Sequence, residues 1–274
     1  MITADEFKKL QMAQLEIMDE IHSLCAQNNV CYYIIGGTAL GAVRHKGFIP
    51  WDLDIDIAMP RSSYDRFKKI CNAELNGRYV YHDFQNTKDY NHPHALVCIK
   101  NSVLKHKFCK YNPSEENLGI YVDIFPLDNA PNKKEDQKKQ AKLLKRIKKQ
   151  KKYKVGYLYD NSKYKRIVKG AIKKLLFWEN IDGLNYKFDK VSRRYNSTDT
   201  NYLCSMASHF SYEKQCMPKE IYGEPQLVDF ENRKFYAPQK IKEYLEIIYG
   251  DYMKLPPISE RNANMNALES VVFP

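Results

Sequence analysis

Hydrophobic residues recur along this chain with two periods, and the switches between them mark out its elements. Between residues 5 and 29, Phe7, Leu10, Ala13/Gln14, Ile17, Ile21 and Leu24 repeat at helical spacing among Lys, Gln, Glu and Asp. That predicts an amphipathic packing helix, capped by Asp5 behind Thr3 and ended by Asn28-Asn29. Val30 to Ile35 is β-branched and aromatic, the composition of a buried strand. Gly36-Gly37-Thr38 comes next as a tight turn into a short helix, Thr38 to Val43. From Asp52 to Ile57 the period drops to two, with Asp52, Asp54 and Asp56 on one strand face and Leu53, Ile55 and Ile57 on the other. Ser62 or Ser63 is placed to cap a helix carrying Tyr64, Phe67, Ile70 and Cys71. Short strand patterns fill residues 79 to 110, and Tyr121 to Pro126 is a further strand, with Asp128 placed to cap the next helix. Helical spacing then dominates over 131–154, 164–178 and from 184 onward. A strand pair lies around Gly223-Glu224-Pro225, and a last helix runs from Pro238 to Tyr249, stopped by Gly250. The reading is α+β: a mixed sheet with flanking helices, then a helical, basic C-terminal part.

The chemistry concentrates between Ile34 and Arg61. Three like charges on one strand face repel, so something must hold them there, and a divalent cation takes oxygen ligands. A solvated acidic edge strand has the same alternation. The glycine pair upstream and the flanking arginines favour the metal. Glycines let a backbone approach a phosphate and donate N–H groups to it. Asp123, alone among Tyr, Val, Ile and Phe, is costly to bury charged without a positive partner, and it completes a three-carboxylate metal set with Asp54 and Asp56. Arg44 suits a phosphate or pairs with the acidic strand. His45 contacts a ligand or fills a structural role. Trp51 stacks on a base or a quaternary ammonium, or fills the turn. Lys100 ends a strand within reach of a phosphate. His82, His92, His94, Cys98, His106 and Cys109 crowd one region, but their spacings match no compact zinc template, and structural zinc is not expected.

The run G-T-A-L-G-A-V-R-H-K-G-F-I-P-W-D-L-D-I-D-I-A-M resembles the signature of the LicD family, in the nucleotidyltransferase-fold superfamily with the fukutin-related transferases. Y-V-D-I-F-P-L-D (Tyr121 to Asp128) resembles the family's third carboxylate strand, and Y-G-D-Y-M-K-L-P-P (Tyr249 to Pro257) its C-terminal block. The resemblance implies a nucleotidyltransferase-type core over residues 1–130, followed by a basic helical region with a C-terminal substrate-binding part over 131–274. It implies transfer of a substituted phosphate from a CDP-activated donor to a hydroxyl of a cell-surface glycan, teichoic-acid or lipopolysaccharide precursor, with release of CMP. Phosphocholine from CDP-choline is the leading group; glycerol phosphate, ribitol phosphate and aminoethylphosphonate fit the same family. On this reading Asp54, Asp56 and Asp123 hold Mg²⁺ (Mn²⁺ as substitute) and are catalytic. Gly36, Gly37, Thr38, Arg44, His45 and Lys100 hold the donor, and Trp51, Asp52 and Arg261 meet substrate. The likeness stops beyond the last block: where the family pattern has a His-rich tail, this chain reads E-R-N-A-N-M-N-A-L-E, and Arg261 stands in for part of it.

Charge changes the picture of the second half. The net charge is +11, yet residues 133 to 174 hold 18 Lys/Arg against three carboxylates, a local +15, which leaves the rest of the chain at −4. A basic amphipathic helix over Tyr164 to Trp178 reads as a peripheral membrane contact or as a packing helix with a solvated face. Nucleic acid would use the same charge, but no reader module accompanies it. Seven cysteines without a C-x-x-C pair, an N-terminus without a signal-peptide core and no run of 18 apolar residues predict a cytoplasmic chain with free thiols, peripheral at most to the inner membrane face. Two other functions stay open: a nucleotidyltransferase that spends a nucleoside triphosphate, and a non-catalytic, basic nucleic-acid-binding protein.

Overall fold

The computed structural model describes residues 2–107, 118–155, 178–261 and 267–274. Its first helix, α1 (Ala4–Gln27), opens on a capping box. The Thr3 hydroxyl accepts from the Glu6 N–H at 3.1 Å, and the Glu6 carboxylate accepts from the Thr3 N–H at 2.7 Å. Thr3 and Glu6 therefore cap the helix where Asp5 was expected, satisfying two orphan donors reciprocally. The apolar stripe of α1, including Leu10, Ile17 and Ile21, is fully buried in the main core.

Strand β1 is only Tyr33–Ile34, because helix α2 (Gly36–His45) starts two residues later. The glycine pair is thus the first turn of α2 and not a separate loop. Strand β2 (Asp56–Pro60) also starts late, so Asp52 to Ile55 lie outside the regular ladder. The alternation survives there: Leu53, Ile55 and Ile57 are buried, while Asp52, Asp54 and Asp56 are half-buried. Helix α3 (Arg61–Glu74) follows β2 at once. Pro60 is its N-cap residue with no side-chain cap, and Ser62 and Ser63 lie inside the helix, so neither caps it.

Strands β3 (Tyr79–His82), β4 (Ala95–Ile99), β5 (Val103–His106) and β6 (Tyr121–Ala130) complete the first half. The main sheet runs β1-β2-β6-β4-β3, with β2 and β6 parallel and the other pairs antiparallel. Pro126 sits in the middle of β6 and has no N–H to donate. Residues 121–124 of β6 pair with β4, and residues 128–130 pair with β7 (Tyr202–Cys204), which in turn pairs with β8 (Cys216–Pro218). The proline falls in the gap where the strand changes partner, which lets the sheet curl without an unmet donor.

Helix α4 (Lys134–Val155) packs on α5 (Ile181–Ser192) through Leu144, Ile147, Leu184 and Phe188. The hairpin β9 (Gln226–Phe230) and β10 (Arg233–Ala237) turns at Glu231-Asn232, later than the Gly223-Glu224-Pro225 turn expected for it. Helix α6 (Ile241–Tyr249) begins three residues after Pro238 and ends at Gly250, whose φ of +72° favours glycine. Strand β11 (Leu268–Val272) pairs with β5. The main core takes side chains from both sides of residue 130, from Phe7 to Leu268. The helix expected over Tyr164 to Trp178 lies outside the described residues apart from Trp178, as do Cys109 and residues 262–266 of the E-R-N-A-N-M-N-A-L-E stretch. Asp128 caps nothing: it lies in β6, fully buried, paired with Arg61. No described helix is long and apolar enough to cross a membrane.

Candidate active site

A cleft of about 1390 Å³ opens over the carboxylate face of the acidic segment, with Asp52, Asp54, Asp56 and Asp123 among its lining residues. The sheet register brings the last two together. Asp56 and Asp123 are partners across the parallel β2–β6 pair, and the Asp123 N–H donates to the Ile55 carbonyl at 2.9 Å. Asp54, Asp56 and Asp123 each present a carboxylate oxygen within 4.8 Å of the others.

The segment before β2 has no ladder of its own, so α1 holds it. Gln14, fully buried, donates from Nε2 to the Leu53 carbonyl at 2.6 Å and to the Tyr121 carbonyl at 3.2 Å. Gln11 Nε2 donates to the Asp52 carbonyl at 3.1 Å. The helix read as packing alone therefore positions the acidic row. Thr38 acts from the other side: its hydroxyl accepts from the Asp56 N–H at 2.8 Å. It holds Asp56 in place and is not among the residues that line the cleft.

The glycines make room for carboxylates. Gly36 has a φ of +55°, and a Cβ there would stand 2.8 Å from Asp56 Oδ2. A Cβ on Gly37 would stand 2.2 Å from Asp52 Oδ2. The Gly36 N–H is already engaged, donating to the Tyr244 hydroxyl at 3.0 Å, so it does not offer the phosphate contact expected of it. Gly37→Ala should place its methyl on the Asp52 carboxylate and push the acidic row aside. Displacements of about 1 Å in such a site cost up to about 10²-fold in rate. Turnover should fall by about that much with the helix content unchanged by circular dichroism; full activity in this variant would show that Asp52 is not needed where it stands.

Crowding fixes the electrostatics. Burial and the neighbouring Asp123 raise the Asp54 pKa to about 7. Burial raises Asp123 to about 8, and burial with Asp54, Asp123 and Asp52 around it raises Asp56 well above the usual carboxylate range. Without a cation the row keeps protons at neutral pH. Oxygen ligands this close are a hard-cation set, and a cation is what would let all three ionise together.

A second group shares Asp123. His92, His94 and Asp123 also lie with ligand atoms within 4.8 Å of one another. The His94 and Asp123 side chains are hydrogen-bonded at 2.6 Å (Nε2 to Oδ1), and the buried His94 Nδ1 meets no hydrogen-bond partner among the described residues. Burial, with Lys151 and Lys148 nearby, lowers His94 to about 3. The imidazole is neutral and able to act as a ligand. The zinc reading had grouped six His and Cys residues. The structure brings only His92 and His94 of those described to this site: His82 bonds Thr87 at 2.8 Å, and Cys98 is buried in β4. The signal was His-x-His directly ahead of a strand, two positions on one face.

The two ends of the acidic floor differ. Arg44 lines the Asp52 end, with Nη1 donating to the Tyr252 carbonyl at 3.0 Å and Nε to His45 Nε2 at 2.9 Å. Trp51 lines it too, with the Arg261 guanidinium 5.3 Å from its ring centroid and His45 at its edge. Tyr249, Tyr252 and Pro256 close this end. His45 buttresses Arg44 and Trp51 and does not line the cleft. Lys100 lies elsewhere: it follows the end of β4, exposed, with its N–H on the Arg78 carbonyl at 3.0 Å. The structure does not bring it to the site. At the Asp123 end stands a wall nothing in the motif reading placed here: lysines of α4, with Phe188 and Ser208.

The three sequence blocks, far apart in the chain, meet around this one cleft. A sequence model of the family described as LicD/FKTN/FKRP, nucleotidyltransferase domain, matches residues 29–158. The lipopolysaccharide cholinephosphotransferase LicD of Haemophilus influenzae is 29% identical over 259 residues, 91% of this chain and 92% of that protein. Residues 29–158 thus match the LicD family, and the Haemophilus protein extends the likeness over nine-tenths of the chain. An uncharacterised protein of Rickettsia prowazekii is 32% identical over 127 residues, 45% of this chain and 42% of its own length. One from Rickettsia typhi is 40% identical over 63 residues, 23% of this chain and 20% of its own. The LicD match ends at 158 and so takes in the acidic segment, β6 and α4. The C-terminal residues that close the Asp52 end lie beyond it.

Proposed function

We propose that this LicD-type phosphotransferase moves phosphocholine from CDP-choline to a hydroxyl of a lipopolysaccharide-like or other cell-surface glycan, releasing CMP. The observation that carries the reading is the convergence of Asp54, Asp56 and Asp123 on one floor, in a chain alignable over nine-tenths of its length with a cholinephosphotransferase. Asp54, Asp56 and Asp123 fit Mg²⁺ or Mn²⁺ by their all-oxygen donor set and by the mutual repulsion that a cation relieves. Bound there, the ion supplies charge neutralisation on the diphosphate of the donor.

The chain's own residues do the rest. Arg44, tethered by Tyr252 and His45, presents its remaining guanidinium N–H groups to the donor phosphates at the Asp52 end. The acceptor hydroxyl enters opposite the leaving CMP. Its oxygen forms the new bond to the choline-bearing phosphorus as the bond from that phosphorus to the CMP oxygen breaks. Its proton passes to Asp123, whose oxygen Oδ1 is fixed by His94. Trp51 and the tyrosines beside it offer aromatic faces for a quaternary ammonium.

The test is CMP release with Mg²⁺ and a glycan acceptor, offering CDP-choline, CDP-glycerol, CDP-ribitol and cytidylyl aminoethylphosphonate in parallel. CDP-choline should turn over fastest. The nucleotidyltransferase description of the matched family favours one other reading, in which a nucleoside triphosphate is the donor. Pyrophosphate release from CTP or ATP, with no turnover of any CDP compound, would establish that reading in place of ours.

A further inference from the structure

We infer that the lysine face of α4 seats the acceptor's own negative charge, and that the acceptor is a phosphate-bearing sugar. The helix has two stripes. Gln137, Gln140, Leu144, Ile147 and Lys151 are buried against the body. Lys145, Lys148, Lys149 and Lys152, spaced i, i+3, i+4 and i+7, form the next stripe and line the cleft. Like charges at those spacings destabilise a helix, so the fold alone gives no reason to align them.

Three of the four have no counter-charge: among the described residues no carboxylate pairs with Lys145, Lys148 or Lys149. Lys148 Nζ donates to the Ser208 carbonyl at 2.7 Å and lies 5.7 Å from the Phe188 ring centroid, and Lys149 lies 5.9 Å from that of Tyr153. Burial lowers Lys148 to about 8, a cost that an anion beside it would remove. The wall is also braced: Lys151 Nζ donates to Asn185 Oδ1 at 2.5 Å and to the Asn91 carbonyl at 3.0 Å, locking α4 to the segment that carries His92 and His94.

Position points to the acceptor over the donor. Arg44 feels the charge of Asp52, whereas Lys148 and Lys151 act on His94 beside Asp123, so the cationic groups stand at opposite ends of the acidic floor. A diphosphate diester carries two charges, which Arg44 and the carboxylate-held ion already meet. A choline group, itself a cation, is repelled from the lysine end. What remains is the molecule that enters beside Asp123, and Phe188 offers its ring an apolar face.

The inference rests on the proposed function for the word acceptor, and the test separates the two. Calorimetry on the full chain would titrate glucose 6-phosphate, glucose, and CDP with Mg²⁺. The variants are Lys145→Gln/Lys149→Gln/Lys152→Gln and an outer-face control of equal charge, Lys138→Gln/Lys142→Gln/Arg146→Gln. All six positions are exposed, and thermal melts check folding. We expect the cleft variant to weaken glucose 6-phosphate about tenfold or more, with CDP affinity held within about twofold, and the control to change neither. Glucose should bind too weakly to respond. A parallel loss of CDP affinity would assign the wall to the donor and overturn the inference. So would an equal effect of the control, or no measurable binding of glucose 6-phosphate to wild type. If CDP fails to bind wild type while the sugar phosphate behaves as expected, the CDP-donor reading falls and the lysine site stands.

Discussion

Asp56→Asn should abolish transfer and, in the metal-free protein at pH 8, raise the unfolding temperature. The first half follows from removing one of three groups aimed at the developing charge, with losses of at least about 10²-fold expected. The second follows from how the carboxyls titrate. Asp54 and Asp123 are raised to about 7 and about 8, and Asp56 is raised well above its ordinary value, each by burial first and, for Asp54 and Asp56, by neighbouring aspartates next. In the unfolded chain all three lose their protons near pH 4. Between pH 4 and 8 the native state therefore holds more protons than the unfolded one, and stability falls as pH rises through that window. An amide at position 56 has no carboxyl to keep protonated in the fold, so the variant escapes that site's share of the cost. Relief of a single pKa unit is about 1.4 kcal/mol, or about 2–4 °C for a chain of this size. Wild type and variant should melt together at pH 4 and separate as pH rises. Added Mg²⁺ should then stabilise wild type at pH 8 and leave the variant nearly unmoved. A variant that melts lower than wild type at pH 8 without metal would show that the row is not under electrostatic strain.

Much of this arrangement was legible in the residues, for identifiable reasons. The alternation of Asp52, Asp54 and Asp56 with Leu53, Ile55 and Ile57 reports burial, and burial followed it even where the ladder had not yet begun. Asp123 was readable because a lone carboxylate in an apolar strand demands a partner. The lysines of α4 were read by their sum of charge, and that hides direction. Their i, i+3, i+4, i+7 spacing beside a buried stripe was visible, but only the packing of α4 on α5 decides that the stripe meets a cleft and not solvent. Gln11 and Gln14 were missed for a related reason. A glutamine on an apolar stripe is tolerated at a helix margin, and its use as a donor to Asp52 and Leu53 depends on a segment 38 or more residues away. Lys100 shows the opposite failure: a cation at a strand end looks placed for phosphate until the strand's direction puts that end elsewhere.

Arg61→Met should be the most destabilising single substitution away from the cleft, costing about 3–5 kcal/mol. Arg61 and Asp128 form a two-point pair, Nε to Oδ1 at 2.7 Å and Nη2 to Oδ2 at 2.6 Å, with side chains 9% and 0% exposed. Burial works against the Arg61 charge, yet Asp128 and Asp189 together outweigh it and the net pKa shift is upward. The pair ties the start of α3 to the second half of β6, and Arg61 also reaches Asp189 of α5 at 3.1 Å. Methionine fills the volume but leaves the Asp128 carboxyl in the core without its guanidinium, with Asn196 Nδ2 at 2.7 Å as its remaining described side-chain donor. Asp189 keeps a partner in Arg193, at 2.7 Å, so the penalty falls mainly on Asp128. Replacing both partners, Arg61→Met with Asp128→Leu, removes the stranded carboxyl and should recover most of the loss, since apolar pairs of similar volume often match buried ion pairs. Urea denaturation of the two single variants and the double closes the cycle. A single-variant cost below about 1 kcal/mol, or a double variant no better than Arg61→Met, would mean the pair is not what holds β6. The consequence reaches the cleft, because Asp123 and Asp128 stand on opposite faces of that strand, five residues apart. Loosening its second half frees Asp123 from its register with Asp56, so turnover in Arg61→Met should fall further than the folded fraction does.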